Sequence, residues 1–162
     1  MSEKVVLGQI KILKKEGVLV AYGLGSCIGL FLYDQIAKVG GLAHIMLSGV
    51  APEIPGLSRT KYAENAIESI LEKMEDFGAS RERVVAIVAG GAHMFHDSSA
   101  EVRQAIGEKN IAGVRESLQR RRIPIKAEDV GEDYGRTVEA HISTGQLIVK
   151  SYRRPMKELN LV

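Results

Sequence analysis

The segment Gly23-Leu24-Gly25-Ser26-Cys27 ends in the only cysteine of the chain. Glycines free the backbone to take positive φ and leave N–H groups unobstructed. Such a turn can expose a nucleophilic thiol and aim amides at a developing oxyanion, with Gly25 and Ser26 as the turn positions beside it. The rival for Gly23-x-Gly25 after a strand is a dinucleotide-binding turn. That fingerprint needs a third glycine, where Ile28 stands, and a following helix, where Ile28–Tyr33 reads as a strand. The rival fails on both counts. A free cysteine is often a small buried hydrophobe, so a nucleophile needs a base within reach.

His44 is that base. Strands Ile28–Tyr33 and Val39–Leu47 are separated by a short turn around Asp34–Lys38. A two-residue loop at Gln35-Ile36 makes paired positions sum to 71 and sets Cys27 opposite His44. Directly opposed Cβ atoms lie ~4.5–5.5 Å apart, close enough for thiol and imidazole to meet. A thiol of pKa ~8.5 is lowered by an adjacent imidazolium. The thiolate then attacks an amide carbon, the imidazolium protonates departing ammonia, and water hydrolyses the thioester. The other histidines are weaker candidates. His93-x-x-His96-Asp97 has ligand-like spacing but no second ligating segment, and Gly90-Gly91-Ala92 before it argues for a turn. No metal is expected there. His141 alternates with Ala140 and Ile142, so it is expected on the other face of its strand.

The elements that must position these groups follow from periodicity. Val5–Leu13, Val18–Tyr22, Ile28–Tyr33 and Val39–Leu47 read as strands. Apolar residues from Tyr62 to Phe77 at three- and four-residue spacing form a helix that Gly78 stops. Val84–Ala89 is a buried strand, and a second helix runs from about Asn110 to Arg122, before Pro124. Ser98-x-x-Glu101 has the form of a capping box on an ambiguous short segment. Strands Ile123–Val130, Arg136–Ser143 and Gln146–Tyr152 complete the chain. The fold class is α+β, a sandwich-like core of mixed and antiparallel sheets flanked by helices, in a single domain over residues 1–162.

Composition narrows function further. The 162 residues are 45% hydrophobic and 26% charged with net charge +2, an ordinary globular balance. That charge implies no nucleic acid or anionic membrane partner, and 5% aromatics without Trp make no base-stacking platform. Arg120-Arg121-Arg122 reads as a solvated helix end complementing the helix dipole. No segment approaches the ~18–20 apolar residues of a membrane span, and no signal-like leader precedes Val5. With one cysteine no intramolecular disulfide forms, so the reducing cytoplasm is the expected compartment.

The chain resembles the chemoreceptor glutamine deamidases of the CheD family. The match runs through Gly23–Cys27, Leu32-Tyr33-Asp34, Gly40–Leu47, Lys61-Tyr62-Ala63, Gly90–Phe95 and Ile106–Asn110. It closes with Asp129-Val130-Gly131, Gly135–Val138 and Thr144-Gly145. The resemblance implies a protein-glutamine glutaminase acting on methyl-accepting chemotaxis receptors, with a CheC-type phosphatase as a second partner and no cofactor. It implies a fold similar to other bacterial cysteine deamidases and places the catalytic pair on Cys27 and His44. One position departs. The family's third triad residue is a Thr six positions before the cysteine, and here it is Ala21. A backbone carbonyl, Ser26 or Tyr22 could take over. The loss also leaves open a non-catalytic protein that docks receptors and the phosphatase, with a metal-dependent hydrolase a distant third.

Overall fold

A computed structural model of the chain describes residues 1–93 and 100–161. Its strands are β1 (Ser2–Lys4), β2 (Ile10–Lys14), β3 (Val18–Leu24), β4 (Ile28–Asp34), β5 (Val39–Ile45), β6 (Val85–Gly90), β7 (Ile125–Val130), β8 (Arg136–His141), β9 (Gln146–Lys150) and β10 (Lys157–Leu159). The helices are α1 (Ala63–Asp76) and α2 (Ala100–Arg120). One sheet has the order β1-β3-β8-β9-β10 and the other β2-β5-β4-β6-β7. Only β1–β3 and β6–β7 run parallel, so the sheets are mixed. The α+β sandwich expected from the sequence is what forms.

Strand alternation builds two cores. On β4, Phe31 and Tyr33 join Leu19, Leu24, Leu42, Ile87 and Val138 between the sheets. Ile28, Leu30 and Leu32 face the other way, against Ile67, Ile70 and Met74 of α1 and Val114 and Leu118 of α2. The layers are therefore sheet, sheet, helices, with β4 and β5 buried on both faces. Both helices end alike. Gly78 (φ 98°) and Arg122 (φ 58°) are left-handed, and the next N–H reaches back to Met74 and Leu118 respectively.

Four local expectations change. The strand expected over Val5–Leu13 begins only at Ile10, because Val5–Gln9 crosses from β1 in one sheet to β2 in the other with Gly8 at φ 78°. The β4–β5 loop is longer than two residues. Asp34 pairs with Val39, so positions sum to 73 and His44 faces Gly29 rather than Cys27. The cause is Asp34, whose Oδ1 accepts the N–H groups of Ile36 and Ala37 at 3.0 and 3.2 Å and folds Gln35–Lys38 into a four-residue turn. Helix α2 begins ten residues before Asn110, and β10 was not foreseen. Finally, Arg121 is mostly buried. It binds Glu64 and Glu68 of α1, and Arg120 also meets Glu64, so the basic run ties the helices together as well as ending α2.

Candidate active site

The two-residue register shift preserves strand parity, so it leaves the face of each side chain unchanged. Cys27 lies two positions before Gly29, diagonal to His44, and packs against the inter-sheet core that also holds Ala21 of β3. Cys27, His44 and Ala21 thus come to one inter-sheet space.

The turn that carries Cys27 is held by its carbonyls. Gly25 O accepts from Ala92 N–H and Cys27 O from Gly91 N–H, each at 2.9 Å. Ser26 O accepts from Asn110 Nδ2, also at 2.9 Å. Gly90 ends β6 directly below, at φ 111°, where an added Cβ would overlap the Cys27 carbonyl oxygen. Three successive carbonyls point into the protein. Among the described residues none of the N–H groups of Gly25, Ser26 and Cys27 donates a hydrogen bond. Unengaged amides beside a thiol are what an oxyanion site requires.

His44 is fixed through backbone and ring. Its N–H donates to Gln9 O at 3.0 Å, and its carbonyl accepts from Gly8 N–H at 2.9 Å. Ring atom Nδ1 lies 3.2 Å from Val5 O, on the segment crossing between the sheets. A carbonyl only accepts, so Nδ1 carries the hydrogen and, in the neutral ring, Nε2 carries the free lone pair. Nε2 is buried and, among the described residues, has no hydrogen-bond partner, the Cys27 thiol included. Burial lowers the imidazole below its ordinary value, opposed by the Val5 bond. Burial also raises the Cys27 thiol. Both shifts favour the uncharged forms of thiol and imidazole.

Ala21 is fully buried in the inter-sheet core, and its side chain has no polar atom to offer His44. The hydrogen-bond partner of the ring among the described residues is the Val5 backbone carbonyl. Nothing in the sequence distinguishes Val5 for this, since every residue carries a carbonyl. Asn110 was likewise missed as a contributor, although an asparagine between Gly107 and Gly113 in a helix is a poor helix former among poor helix formers. A recess of about 240 Å³ opens at His44, walled by Val5, Leu7, Tyr22 and Lys4, with Leu7 and Tyr22 more than half exposed.

His93 N–H donates to Glu132 O. His96, Asp97 and Ser98 lie outside the described residues. His141 is half-buried opposite the core face of β8, with Nε2 3.4 Å from Glu139, as expected. Among the described residues no cluster of His, Cys, Asp and Glu is arranged to hold a metal ion, and no helix is long and apolar enough to cross a membrane.

Comparison with known proteins gives a consistent picture. Residues 46–151 match the family model described as CheD chemotactic sensory transduction. That span begins after both Cys27 and His44. A protein of Geobacter metallireducens named "Probable chemoreceptor glutamine deamidase CheD 2" is 42% identical, the alignment covering 98% of this chain and 100% of that protein. One of Halalkalibacterium halodurans, named chemoreceptor glutamine deamidase CheD, is 38% identical over 96% of this chain and 97% of its own length. A Caldanaerobacter subterraneus relative is 40% identical over 95% of both.

Proposed function

The chain belongs to the CheD family, and on that premise we propose that it is a cytoplasmic cysteine-dependent deamidase converting glutamine side chains of methyl-accepting chemoreceptors to glutamate. The observation that carries this reading is the buried Nε2 of His44, unpartnered among the described residues, its tautomer set by the Val5 carbonyl, on the inter-sheet face it shares with Cys27.

In the proposed reaction a glutamine side chain enters past His44, and its carboxamide carbon meets the thiol, which lies beyond the lining of the recess at His44. Nε2 takes the proton from Sγ as the C–S bond forms, so charge separates only when substrate is in place. The oxygen of the tetrahedral intermediate is met by the free amides of the Gly25–Cys27 turn, where a single donor is worth ~2.7–4 kcal/mol. The imidazolium then hands its proton to nitrogen, the C–N bond breaks and ammonia leaves. Water then attacks the thioester as Nε2 takes one of its protons; the C–S bond breaks, Nε2 passes that proton to sulfur, and the new carboxyl loses its own proton to solvent. No metal or organic cofactor enters the reaction.

Hydroxylamine offered in place of water tests the covalent route. A glutamyl hydroxamate on a glutamine-bearing receptor fragment is expected with the wild type and not with Cys27→Ser. Hydroxamate formation in both would remove Cys27 from the chemistry. The absence of the family's threonine at Ala21 favours the second reading, a docking protein without turnover, which predicts fragment binding with no product. The resemblance also supports a CheC-type phosphatase as a second partner.

A further inference from the structure

We infer that Asn110 is a positioning residue for the proposed catalytic pair, holding the Cys27 turn against the strand that carries His44. The inference rests on the Cys27–His44 reading above. Asn110 is 1% exposed in the middle of α2. Its Nδ2 donates to Ser26 O and to Met46 O, each at 2.9 Å. Ser26 immediately precedes the nucleophile, and Met46 lies two residues beyond the base. One side-chain amide therefore spends both of its N–H bonds joining two chain segments 20 residues apart in sequence, through a helix that belongs to neither.

The helix is shaped for this reach. Gly107 and Gly113 lie three residues before and after Asn110 and share its face. A Cβ at Gly107 would come within 2.7 Å of Gly91 O and 2.8 Å of Ala92 O, and one at Gly113 within 2.5 Å of Ser48 Cβ. A glycine weakens a helix interior relative to alanine, and here each lets α2 approach the site where a methyl would hold it off. At that distance the short asparagine side chain reaches both carbonyls. Gly91 and Ala92, against which Gly107 packs, are themselves the donors to Cys27 O and Gly25 O. The contact face of α2 thus supports the turn directly through Asn110 and indirectly through Gly91 and Ala92. Two buried carbonyls explain why an amide stands there: a donor with two N–H groups satisfies both, whereas a carboxylate would repel them.

The test compares Asn110→Ala with Asn110→Asp, the second keeping the shape while removing both donors. Wild type and Cys27→Ser are assayed first on a receptor fragment. Both Asn110 variants should lower kcat on the order of tenfold to a hundredfold with KM within about twofold, because misplacement acts on the chemical step. They should also slow Cys27 alkylation near neutral pH in the wild-type background, where Nε2 takes the thiol proton as sulfur attacks the alkylating agent, and leave it unchanged in His44→Ala, which has no base to align. A folded variant with wild-type kcat, or an equal alkylation effect in both backgrounds, overturns the inference. If the wild type itself forms no product, the deamidase reading fails, while the alkylation cycle still decides for Asn110. Should neither variant fold, the Asn110 side-chain amide resonances of the wild type are read before and after alkylation of Cys27. Unmoved resonances count against the link and shifted ones support it.

Discussion

His44 Nδ1 and the Val5 carbonyl oxygen lie 3.2 Å apart, joining the proposed base to the segment that closes one sheet onto the other. Val5 is fully buried, and its own N–H donates to Val20 O at 2.7 Å in the opposite sheet. The carbonyl is thereby pinned from its own residue, and the ring is held without help from a side chain. In the proposed deamidase this carbonyl takes the orienting place that the resemblance assigns to a threonine at position 21.

Ala21→Thr is accordingly expected to leave kcat within about twofold of wild type, since the tautomer is already set. The extra atoms enter a fully buried position, so stability should fall by about 1–3 kcal/mol. Parallel turnover and urea-unfolding measurements decide this. A tenfold rise in kcat would show that Val5 does not hold the ring well enough for catalysis.

Burial works on thiol and imidazole in opposite directions, and both effects can be read by titration. The rate of Cys27 alkylation should rise with a midpoint above the ordinary thiol value of ~8.5. The acid limb of kcat/KM should fall below the ordinary imidazole value of ~6.5, because only neutral His44 can accept the proton. The same shift affects stability. An unfolded histidine takes up a proton near ~6.5 while the folded one resists, so His44 contributes stability that is lost as pH falls below that value. His44→Ala should cut turnover by about a hundredfold or more and remove the acid limb. A thiol midpoint below that of a free cysteine would mean a preformed ion pair instead.

How far this site could be read from sequence depended on what each signal fixes. The glycine-rich turn and the apolar alternation fixed which face Cys27 and His44 occupy. That survived a two-residue error in register because strand parity repeats every two residues. The error itself came from the turn, where Asp34 binding two backbone N–H groups outweighed the shorter loop. Apolar residues at Val5, Leu7, Ile10 and Ile12 look like one strand, and nothing local says that Gly8 turns the chain toward the other sheet. Helix α2 was read only where its apolar spacing is regular, leaving out Gly107, which is there for close approach to the turn.

Asp34 also gives a stability test that leaves the chemistry alone. Its buried carboxylate accepts from Ile36, Ala37 and Ser80 and pairs with Arg83 at 2.9 Å. Burial alone would raise this carboxyl, but the Arg83 and backbone hydrogen bonds outweigh it and hold it below the usual range. Its contribution is therefore complete above the unfolded value of ~3.9 and is lost as pH falls through the lower folded value. Asp34→Ala should cost about 2–4 kcal/mol near neutrality and less in acid, by denaturant unfolding at both conditions. An equal cost at both would assign the effect to packing.

The most direct measurement is the intact mass of a glutamine-bearing chemoreceptor fragment after incubation with wild type, Cys27→Ser and His44→Ala. The account predicts that the wild type adds the mass of an amide-to-carboxylate exchange at specific glutamines, that Cys27→Ser adds none, and that His44→Ala adds it slowly. Conversion by Cys27→Ser at the wild-type rate, or an unchanged fragment mass with a wild type that binds the fragment, would contradict it.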